Sequence, residues 1–189
     1  MKVSPRKTLL KKNYSLLLLF LSIAFFPKAQ LRQIYSDMVS TSNDIHKISF
    51  YTPAQGYVAS TDASWDWVGY TADSGRTFIK RPITLANVDY NGYGVNLTFG
   101  FGIAGVKAFD QNNILVYGDY GLVPAILKST NGGVSYLLVY HSQVGPTTFS
   151  TLSDMIFPQD NTVGFAVDGY KVIKTTNGGS NWSVVYNGS

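Results

Sequence analysis

The stretch KTTNGGSNW (residues 174–182) has two relatives upstream in the same chain, KSTNGGVSY (residues 128–136) and YTADSGRTF (residues 70–78). All three fit the pattern Ser/Thr-x-Asp/Asn-x-Gly-x-Ser/Thr/Asn-aromatic, which we call a turn box. The pattern is filled in turn box 1 by Thr71, Asp73, Gly75, Thr77 and Phe78, in turn box 2 by Ser129, Asn131, Gly133, Ser135 and Tyr136, and in turn box 3 by Thr175, Asn177, Gly179, Asn181 and Trp182. Three such copies in one chain indicate an internal repeat.

Each position of a turn box has a mechanical explanation that needs no ligand. The Gly at the fifth position permits the positive φ of a tight hairpin. The Asp or Asn two residues earlier can accept hydrogen bonds from the turn's own amides, and the initial Ser or Thr can add a weaker bond. The closing aromatic buries a large ring, which we expect to pack on its own strand unit. We therefore interpret the boxes as structural turns, with a phosphate loop or a sugar site as the alternatives.

Short strands surround each turn box in the same order. An apolar stretch ends at Phe50, Phe109 or Phe157, which lies 23, 22 or 20 positions before the box Asp or Asn. A second strand follows (GYVAS, ILVYG, GFAVD), a third leads into the box, and a fourth leaves it (FIKRPI, YLLVYH, WSVVYN). Four strands per unit are typical of β-propeller blades. The predicted blades span about residues 44–84, 103–142 and 151–189, with a Gly/Tyr/Asn-rich insert at about residues 85–105.

The composition favours an all-β fold. Every acidic residue is Asp, and Glu, which commonly fills helix surfaces, is absent. The 18 Gly and 13 Tyr occur among many Val, Thr and Ser, as expected for short strands joined by tight turns. We predict antiparallel four-stranded blades, about three of them, forming a partial β-propeller.

The N-terminus has the pattern of a secretory signal peptide. Residues 1–13 are basic, residues 16–26 (LLLLFLSIAFF) are small or apolar, and Ala29 precedes the predicted cut. The apolar run of 11 residues is shorter than the roughly 20 that a membrane span requires. We expect residues 1–29 to be removed, residues 30–189 to be secreted, periplasmic or at the cell surface, and no membrane span to remain.

Removal of residues 1–29 changes the charge of the protein. That segment holds 6 of the 15 Lys and Arg and none of the 11 Asp, so residues 30–189 carry 9 basic and 11 acidic groups. The net charge of −2 argues against a nucleic-acid partner. The chain has no Cys, so neither disulfides nor a lipid-modified N-terminal Cys is expected.

The turn boxes resemble the Asp-box (bacterial neuraminidase) repeat. The longer unit, an apolar strand, a Gly-aromatic strand and then LKSTNGG or IKTTNGG, resembles photosystem II assembly-factor-like propellers and related exported repeat proteins. The resemblance covers about residues 44–188. It implies a box in the hairpin between the third and fourth strands of each blade, remote from any active site. It implies a fold more firmly than an activity.

Enzymatic readings of this resemblance find little support in the residues. Sialidase-like enzymes use three arginines and a Tyr–Glu pair, and this chain lacks Glu and has only Arg32, Arg76 and Arg81 beyond residue 29. A pair of Asp residues could still act in glycoside hydrolysis, but no spacing singles one out. We therefore expect no catalytic residues. The alternative is a fragment of a sialidase-like glycoside hydrolase whose catalytic residues lie on blades absent from this chain.

Cofactor and metal motifs are equally weak. FGFGIAG (residues 99–105) formally contains G-x-G-x-x-G, but a strand-turn-strand pattern follows instead of the helix that a dinucleotide site needs. His46 and His141 are isolated and share no ligand spacing. No cofactor and no metal are expected.

The stretch SWDWVGY (residues 64–70) offers a candidate ligand surface formed by Trp65, Trp67 and Tyr70. Exposed aromatics beside Asp suit stacking on sugars or contact with proteins. The alternative is that alternate residues such as Trp65 and Trp67 pack into a blade interface. The expected function is an exported, non-enzymatic scaffold for an unidentified protein or cell-surface glycan.

Three blades fall short of the usual four to eight of a propeller. An open three-blade wedge would leave two blade faces uncovered and its outer strand edges unprotected. The sequence leaves three explanations: truncation of a longer propeller, association of subunits to close a ring, or a compact arrangement that is not a propeller. We favour truncation as the expectation.

Overall fold

The computed structural model of the chain describes residues 44–61, 66–95, 100–142 and 151–188. The predicted signal peptide, its cleavage point after Ala29 and the candidate ligand residue Trp65 lie outside these ranges. Within them, no helix has the length and apolar character needed to cross a membrane.

β-Strands form almost all regular structure in the described ranges, as the absence of Glu and the abundance of turn residues predict. The strands are β1 (Asp44–Phe50), β2 (Gly56–Thr61), β3 (Asp66–Thr71), β4 (Ile79–Pro82), β5 (Val88–Asp89), β6 (Phe101–Ala108), β7 (Ile114–Tyr120), β8 (Val123–Ser129), β9 (Tyr136–His141), β10 (Leu152–Ile156), β11 (Gly164–Asp168), β12 (Lys171–Thr175) and β13 (Ser183–Asn187). A single 3-10 turn, Leu85–Asn87, precedes β5. The predicted all-β class is confirmed.

The strands form three sheets in chain order. Sheet 1 has the order β1-β2-β3-β4, sheet 2 the order β5-β9-β8-β7-β6, and sheet 3 the order β10-β11-β12-β13. Consecutive strands of each four-stranded meander pair antiparallel, whereas β5 pairs in parallel with β9. Each turn box lies in the hairpin between the third and fourth strands of a meander.

The insert between sheets 1 and 2 is shorter than the predicted residues 85–105, because β6 begins at Phe101. Gly102 and Gly105 weaken the strand pattern in the sequence, but side chains of β7 occupy the space beside them. A Cβ on Gly105 would lie 2.5 Å from the Tyr117 ring, and one on Gly102 would lie 3.0 Å from a carboxylate oxygen of Asp119. Glycine therefore serves close packing within a strand here.

Sheet 2 is buried on both faces. Ile114 and Val116 lie in a core shared with sheet 1, whereas Leu115 and Tyr117 lie in a second core shared with sheet 3. Side chains alternate between the faces of a strand, so burial on both sides explains why β7 is an almost continuous apolar run.

We call the face of a sheet that points toward the preceding sheet its front, and the opposite face its back. The back of sheet 1 packs on the front of sheet 2, and the back of sheet 2 packs on the front of sheet 3. The sheets thus follow one another as blades of a partial β-propeller. Among the described residues, no sheet covers the front of sheet 1 or the back of sheet 3.

Candidate functional site

A buried hydroxyl forms the centre of every turn box. The first residue of each box accepts a hydrogen bond from the N–H of the box Gly: 2.9 Å for Thr71 and Gly75, 2.8 Å for Ser129 and Gly133, and 3.0 Å for Thr175 and Gly179. The same hydroxyl donates to the third residue: 2.9 Å to Asp73, 2.9 Å to Asn131 and 3.0 Å to Asn177. The sequence suggests only a weak supporting hydrogen bond from this hydroxyl. In the structure the hydroxyl both accepts and donates a hydrogen bond inside the turn.

The third residue of each box closes the turn, as predicted from Asx-turn chemistry. Its side-chain oxygen accepts the N–H of the seventh residue: 2.9 Å from Thr77 to Asp73, 3.0 Å from Ser135 to Asn131 and 3.0 Å from Asn181 to Asn177. In turn box 1 this residue is a carboxylate. A hydrogen bond from the Thr77 hydroxyl, followed by one from the Thr77 amide, lowers the pKa of Asp73 to about 2.

The box glycines satisfy a packing requirement besides the backbone one. Gly75, Gly133 and Gly179 have φ values of 82°, 92° and 78°, which other residues adopt only with strain. A Cβ on Gly133 would lie 3.0 Å from Val68 of sheet 1, and one on Gly179 would lie 2.5 Å from Leu115 of sheet 2. Turn boxes 2 and 3 therefore receive the side chains of the preceding sheet.

The fourth residue of each box bonds to the first hairpin of its own sheet. The N–H of Ser74 donates to Ala54, that of Gly132 to Asn112, and that of Gly178 to Thr162, at 2.8, 2.8 and 2.9 Å. These repeated bonds place all three boxes at the same end of their sheets. The polar groups of the boxes are thus engaged in holding hairpins together.

Hydrogen bonds also join neighbouring sheets at this end. The Tyr57 hydroxyl of sheet 1 donates to the Gln111 carbonyl at 2.6 Å, and the Arg81 guanidinium donates to the Gly132 carbonyl of turn box 2. The Lys128 ammonium of sheet 2 donates to the Gly178 carbonyl of turn box 3 at 2.9 Å. These hydrogen bonds between sheets were not predicted from the sequence. The bond of Lys128 could have been suspected, because a Lys immediately precedes both turn box 2 and turn box 3.

The closing aromatics differ in what they contact. Phe78 packs with Val58 and Trp67 of its own sheet, as predicted. The same prediction is incomplete for Tyr136, whose ring also lies in the core between sheets 1 and 2, and for Trp182, which also joins the core between sheets 2 and 3. The reason is that these aromatics lie on the front of their sheet, where a preceding sheet is packed.

The burial of Trp67 and Tyr70 contradicts the prediction that they form a ligand surface. Trp67 lies against Val58 with the Lys80 ammonium 4.4 Å from its ring centroid. Tyr70 points to the opposite face and packs on Tyr57 with the ring centroids 5.2 Å apart and the rings tilted by 44°. Both rings are buried, so neither can stack on a ligand from solvent. The alternative for Trp67 was packing into a blade interface, but its ring packs within its own sheet on Val58 and Phe78. Tyr70 instead lies in the core between sheets 1 and 2.

Two half-buried carboxylates flank the start of β6, at the end of the sheets opposite the turn boxes. Asp66 accepts hydrogen bonds from the Ile103 amide at 3.0 Å and from the Thr61 hydroxyl at 2.6 Å. Asp119 accepts the Leu122 amide at 2.9 Å. Burial raises the pKa of both carboxyls. The sequence did not single out this pair, because 53 positions separate the two residues and only the fold brings them near each other.

Chemically, carboxylates with raised pKa values can serve as general acids or bases. Here each also accepts a backbone N–H, which is a sufficient structural reason for its position. In the described ranges, no group of three or more His, Cys, Asp or Glu side chains is arranged to hold a metal ion.

The uncovered sheet faces are the other prominent surface feature. The back of sheet 3 carries a shallow, mainly apolar depression lined by Asp154, Ile156, Phe165, Val167 and Val172. On the front of sheet 1 the first strand, β1, exposes Ile45, Ile48 and Phe50, whereas Val58 and Trp67 on the two middle strands are buried. Large exposed apolar patches commonly mark interaction sites.

Comparison with known proteins identifies no matching family model and no matching curated protein. Among solved structures, YCF48 from Cyanidioschyzon merolae is similar over 78% of this chain and 44% of that chain, with 19% identity and a TM-score of 0.48. A GH74 xyloglucanase from Xanthomonas campestris is similar over 77% of this chain and 24% of that chain, with 11% identity and a TM-score of 0.49. This chain therefore spans less than half of the first protein and about a quarter of the second.

Proposed function

We propose that this protein is an exported, non-enzymatic β-propeller repeat module that acts as a scaffold for protein contacts through the front of sheet 1 and the back of sheet 3. The observation that carries the proposal is the exposure of apolar positions on β1 at the front of sheet 1 and on the back of sheet 3, where the equivalent positions of the other sheets are buried. Ile48 on β1 is 64% exposed, whereas its counterparts Val106 on β6 and Met155 on β10 are 3% and 8% exposed. The three residues share one register position beside the second strand of their sheets.

The same contrast holds for the back faces. Val167 of sheet 3 is 38% exposed, whereas its counterparts Ala59 of sheet 1 and Tyr117 of sheet 2 are 0% and 1% exposed. Burial of aliphatic side chains contributes roughly 25 cal/mol per Å² of apolar area, so a partner that covers both faces gains substantial association energy. Aliphatic faces suit proteins better than glycans, for which rigid exposed aromatics beside polar groups are the common contacts.

Site-specific photocrosslinking tests this proposal. A photoreactive residue is placed at Ile48 or at Val167 of the full chain, and a matched control carries it at Val134, an exposed aliphatic residue within turn box 2. We expect discrete protein adducts from both face positions and none from the control. Equal labelling at all three positions, or binding to a glycan array without protein adducts, would contradict protein scaffolding.

Export is part of the proposal and rests on the basic, apolar and small-residue order of residues 1–29. Sequencing the N-terminus of protein recovered outside the cytoplasm tests it directly. Processed protein that begins at Gln30 is the expected result. Protein that retains Met1 and stays in the cytoplasm would contradict export.

Glycoside hydrolysis is the second candidate, and the Asp66–Asp119 pair is the observation that favours it. Such chemistry uses two carboxyls, one with a raised pKa that acts as the acid and one ionised as nucleophile or base. Burial raises the pKa of both Asp66 and Asp119, so either could supply the acid. A panel of fluorogenic glycosides, including a sialoside, is incubated with the protein and with Asp119→Asn. Turnover that disappears in the variant would establish the enzyme and displace the scaffold proposal.

A further inference from the structure

At the turn-box end, the same kind of hydrogen bond joins sheet 1 to sheet 2 and sheet 2 to sheet 3. In sheet 2, Lys128 immediately precedes turn box 2, lies on the back face opposite Leu115, and donates to the carbonyl of Gly178 in turn box 3. It also donates to the Ser180 hydroxyl of the same box at 2.8 Å. In sheet 1, Arg81 donates to the carbonyl of Gly132, the equivalent fourth residue of turn box 2. A cation of one sheet thus binds the turn box of the next.

Sheet 3 carries the donor of a further contact of this kind. Lys174 immediately precedes turn box 3 and lies opposite Phe165, in the same register that Lys128 has opposite Leu115. No hydrogen bond of its ammonium occurs within the described part of the chain, where it lies 5.6 Å from the centroid of the Phe165 ring. The back of sheet 3 therefore presents a cation and an apolar surface in the arrangement that sheet 2 uses to hold sheet 3.

Sheet 1 carries the matching acceptor. Ser74 is the fourth residue of turn box 1, and its φ of 63° matches the 71° of Gly132 and the 66° of Gly178. Among the described residues, no cation donates to its carbonyl. The Ser74 side chain suits a lysine donor placed like Lys128, because a Cβ at the equivalent Gly178 would lie 4.0 Å from the Lys128 ammonium. It does not suit a donor placed like Arg81, whose guanidinium would lie 2.6 Å from a Cβ at Gly132. Gly75 likewise lacks the contact with a preceding sheet that Gly133 and Gly179 make.

We infer that a second copy of this chain docks head-to-tail, with the back of sheet 3 of each protomer on the front of sheet 1 of the other. Lys174 then donates to the Ser74 carbonyl of the partner copy, as Lys128 donates to Gly178 within one chain. Ile156, Phe165 and Val167 of one copy cover Ile45, Ile48 and Phe50 of the other. This inference rests on the proposed function, since it names the protein partner of the same two faces.

The blade count agrees with a pair of copies. Two protomers that each contribute the three blades of the described residues make six blades, which lies within the usual four to eight. A head-to-tail contact that closes on itself uses the front of sheet 1 and the back of sheet 3 of both copies, so assembly stops at the dimer. The fold of each protomer already contains two interfaces of the required type.

The test measures the mass of the purified protein, expressed as the full chain, by light scattering after size-exclusion chromatography. We expect a dimer for the unaltered protein and for the control variant Val134→Asp. Ile48→Asp disables the front face and Val167→Asp disables the back face, because each would bury an unpaired carboxylate. Each variant alone is therefore expected to be a monomer.

Mixing the two variants distinguishes head-to-tail docking from other arrangements. The intact back of the Ile48→Asp protein can bind the intact front of the Val167→Asp protein, so an equimolar mixture forms a heterodimer through a single interface. Pairing of two identical faces cannot be restored in this way. Circular dichroism of each variant confirms that it is folded before mixing.

Lys174→Met probes the proposed hydrogen bond. We expect it to weaken dimerisation by about tenfold or more, which is typical of losing a hydrogen bond from a charged group. Lys171→Met on the same strand is the control, since Lys171 pairs opposite Asp168, away from the back face.

Several results would overturn the inference: a monomer at every soluble concentration, a larger assembly, sensitivity to only one of the two face variants, or no heterodimer on mixing. The two proposals fail separately. A monomeric protein that still gives protein adducts at Ile48 and Val167 overturns the second-copy partner and retains the scaffold. Absence of any adduct removes the scaffold as well.

Discussion

The Ser129 hydroxyl oxygen lies 2.8 Å from the backbone nitrogen of Gly133 and accepts its hydrogen bond inside turn box 2. The hydroxyl is buried and also donates to the Asn131 side chain at 2.9 Å. One atom thus satisfies two polar groups of a turn that carries a positive φ. The same relation recurs at Thr71 and Thr175, which makes it a property of the repeat rather than of one turn.

Removing this hydroxyl is expected to destabilise the fold. Ser129→Ala leaves the buried N–H of Gly133 without a partner, which costs about 2 kcal/mol of unfolding free energy. Urea unfolding followed by tryptophan fluorescence measures the change. Thr130→Ala, at the neighbouring exposed position, is the control and is expected to change little. Equal effects of both substitutions would show that the hydroxyl has no special role.

The carboxylate of turn box 1 predicts an acid-dependent contribution that boxes 2 and 3 lack. The pKa of Asp73 is lowered from 3.8 to about 2 by the Thr77 hydroxyl and amide. A lowered pKa stabilises the fold above the unfolded-state pKa, and this contribution is lost as the pH falls from about 4 toward 2. Asp73→Asn is therefore expected to be less stable than the unaltered protein at pH 7, with the difference vanishing near pH 2.

Unfolding free energies measured across this pH range provide the test. The reciprocal substitution Asn131→Asp places a carboxylate beside the Ser135 hydroxyl and amide, so it should acquire the same acid dependence. A difference between Asp73→Asn and the unaltered protein that stays constant with pH would contradict the explanation.

The internal geometry of the turn boxes could be predicted from the sequence because the hydrogen bonds within each box join residues no more than four positions apart. Asp73, Asn131 and Asn177 accept the amides expected of them, and the box glycines have the expected positive φ. Four strands around each box also follow from local alternation. The repeat made these predictions possible, because the same strand and turn positions had to fit all three units.

Burial and contacts between sheets could not be predicted in the same way. Alternation places Trp67 and Tyr70 on opposite faces, but it does not say which faces are covered. Asp119 comes near enough to raise the pKa of Asp66 only after two sheets have packed. The sequence left open whether Gly102 and Gly105 lie in a strand or a loop, because the side chains of β7 that require glycine there belong to another strand. These features depend on long-range packing rather than on local pattern.

Hydrogen bonds between sheets should contribute to the cooperativity of the fold. Tyr57 on sheet 1 donates to the Gln111 carbonyl of sheet 2 at 2.6 Å, and its ring is fully buried. Tyr57→Phe keeps the ring and removes the donor, so we expect a loss of about 1 kcal/mol in unfolding free energy. The control is Tyr170→Phe, at an exposed tyrosine. A loss no larger than that of the control would show that water replaces the bond without cost.

The box glycines allow backbone strain to be separated from contact between sheets. Gly75→Ala and Gly179→Ala both place a Cβ at a positive φ, which costs about 1–2 kcal/mol. At Gly75 the nearest atoms to that Cβ lie 3.6 Å away, but at Gly179 the Leu115 side chain of sheet 2 lies at 2.5 Å. Overpacking adds roughly 1–3 kcal/mol, so Gly179→Ala should be the more destabilising substitution.

Chemical denaturation of the two variants and of the double variant Gly179→Ala/Leu115→Ala provides the measurement. Because Leu115→Ala removes the side chain that the new Cβ contacts, the double variant should lose less stability than the sum of the two single losses. Additive losses would mean that Leu115 and the turn box do not press on one another. In that case the requirement for glycine at position 179 would come from the backbone alone, as it does at Gly75.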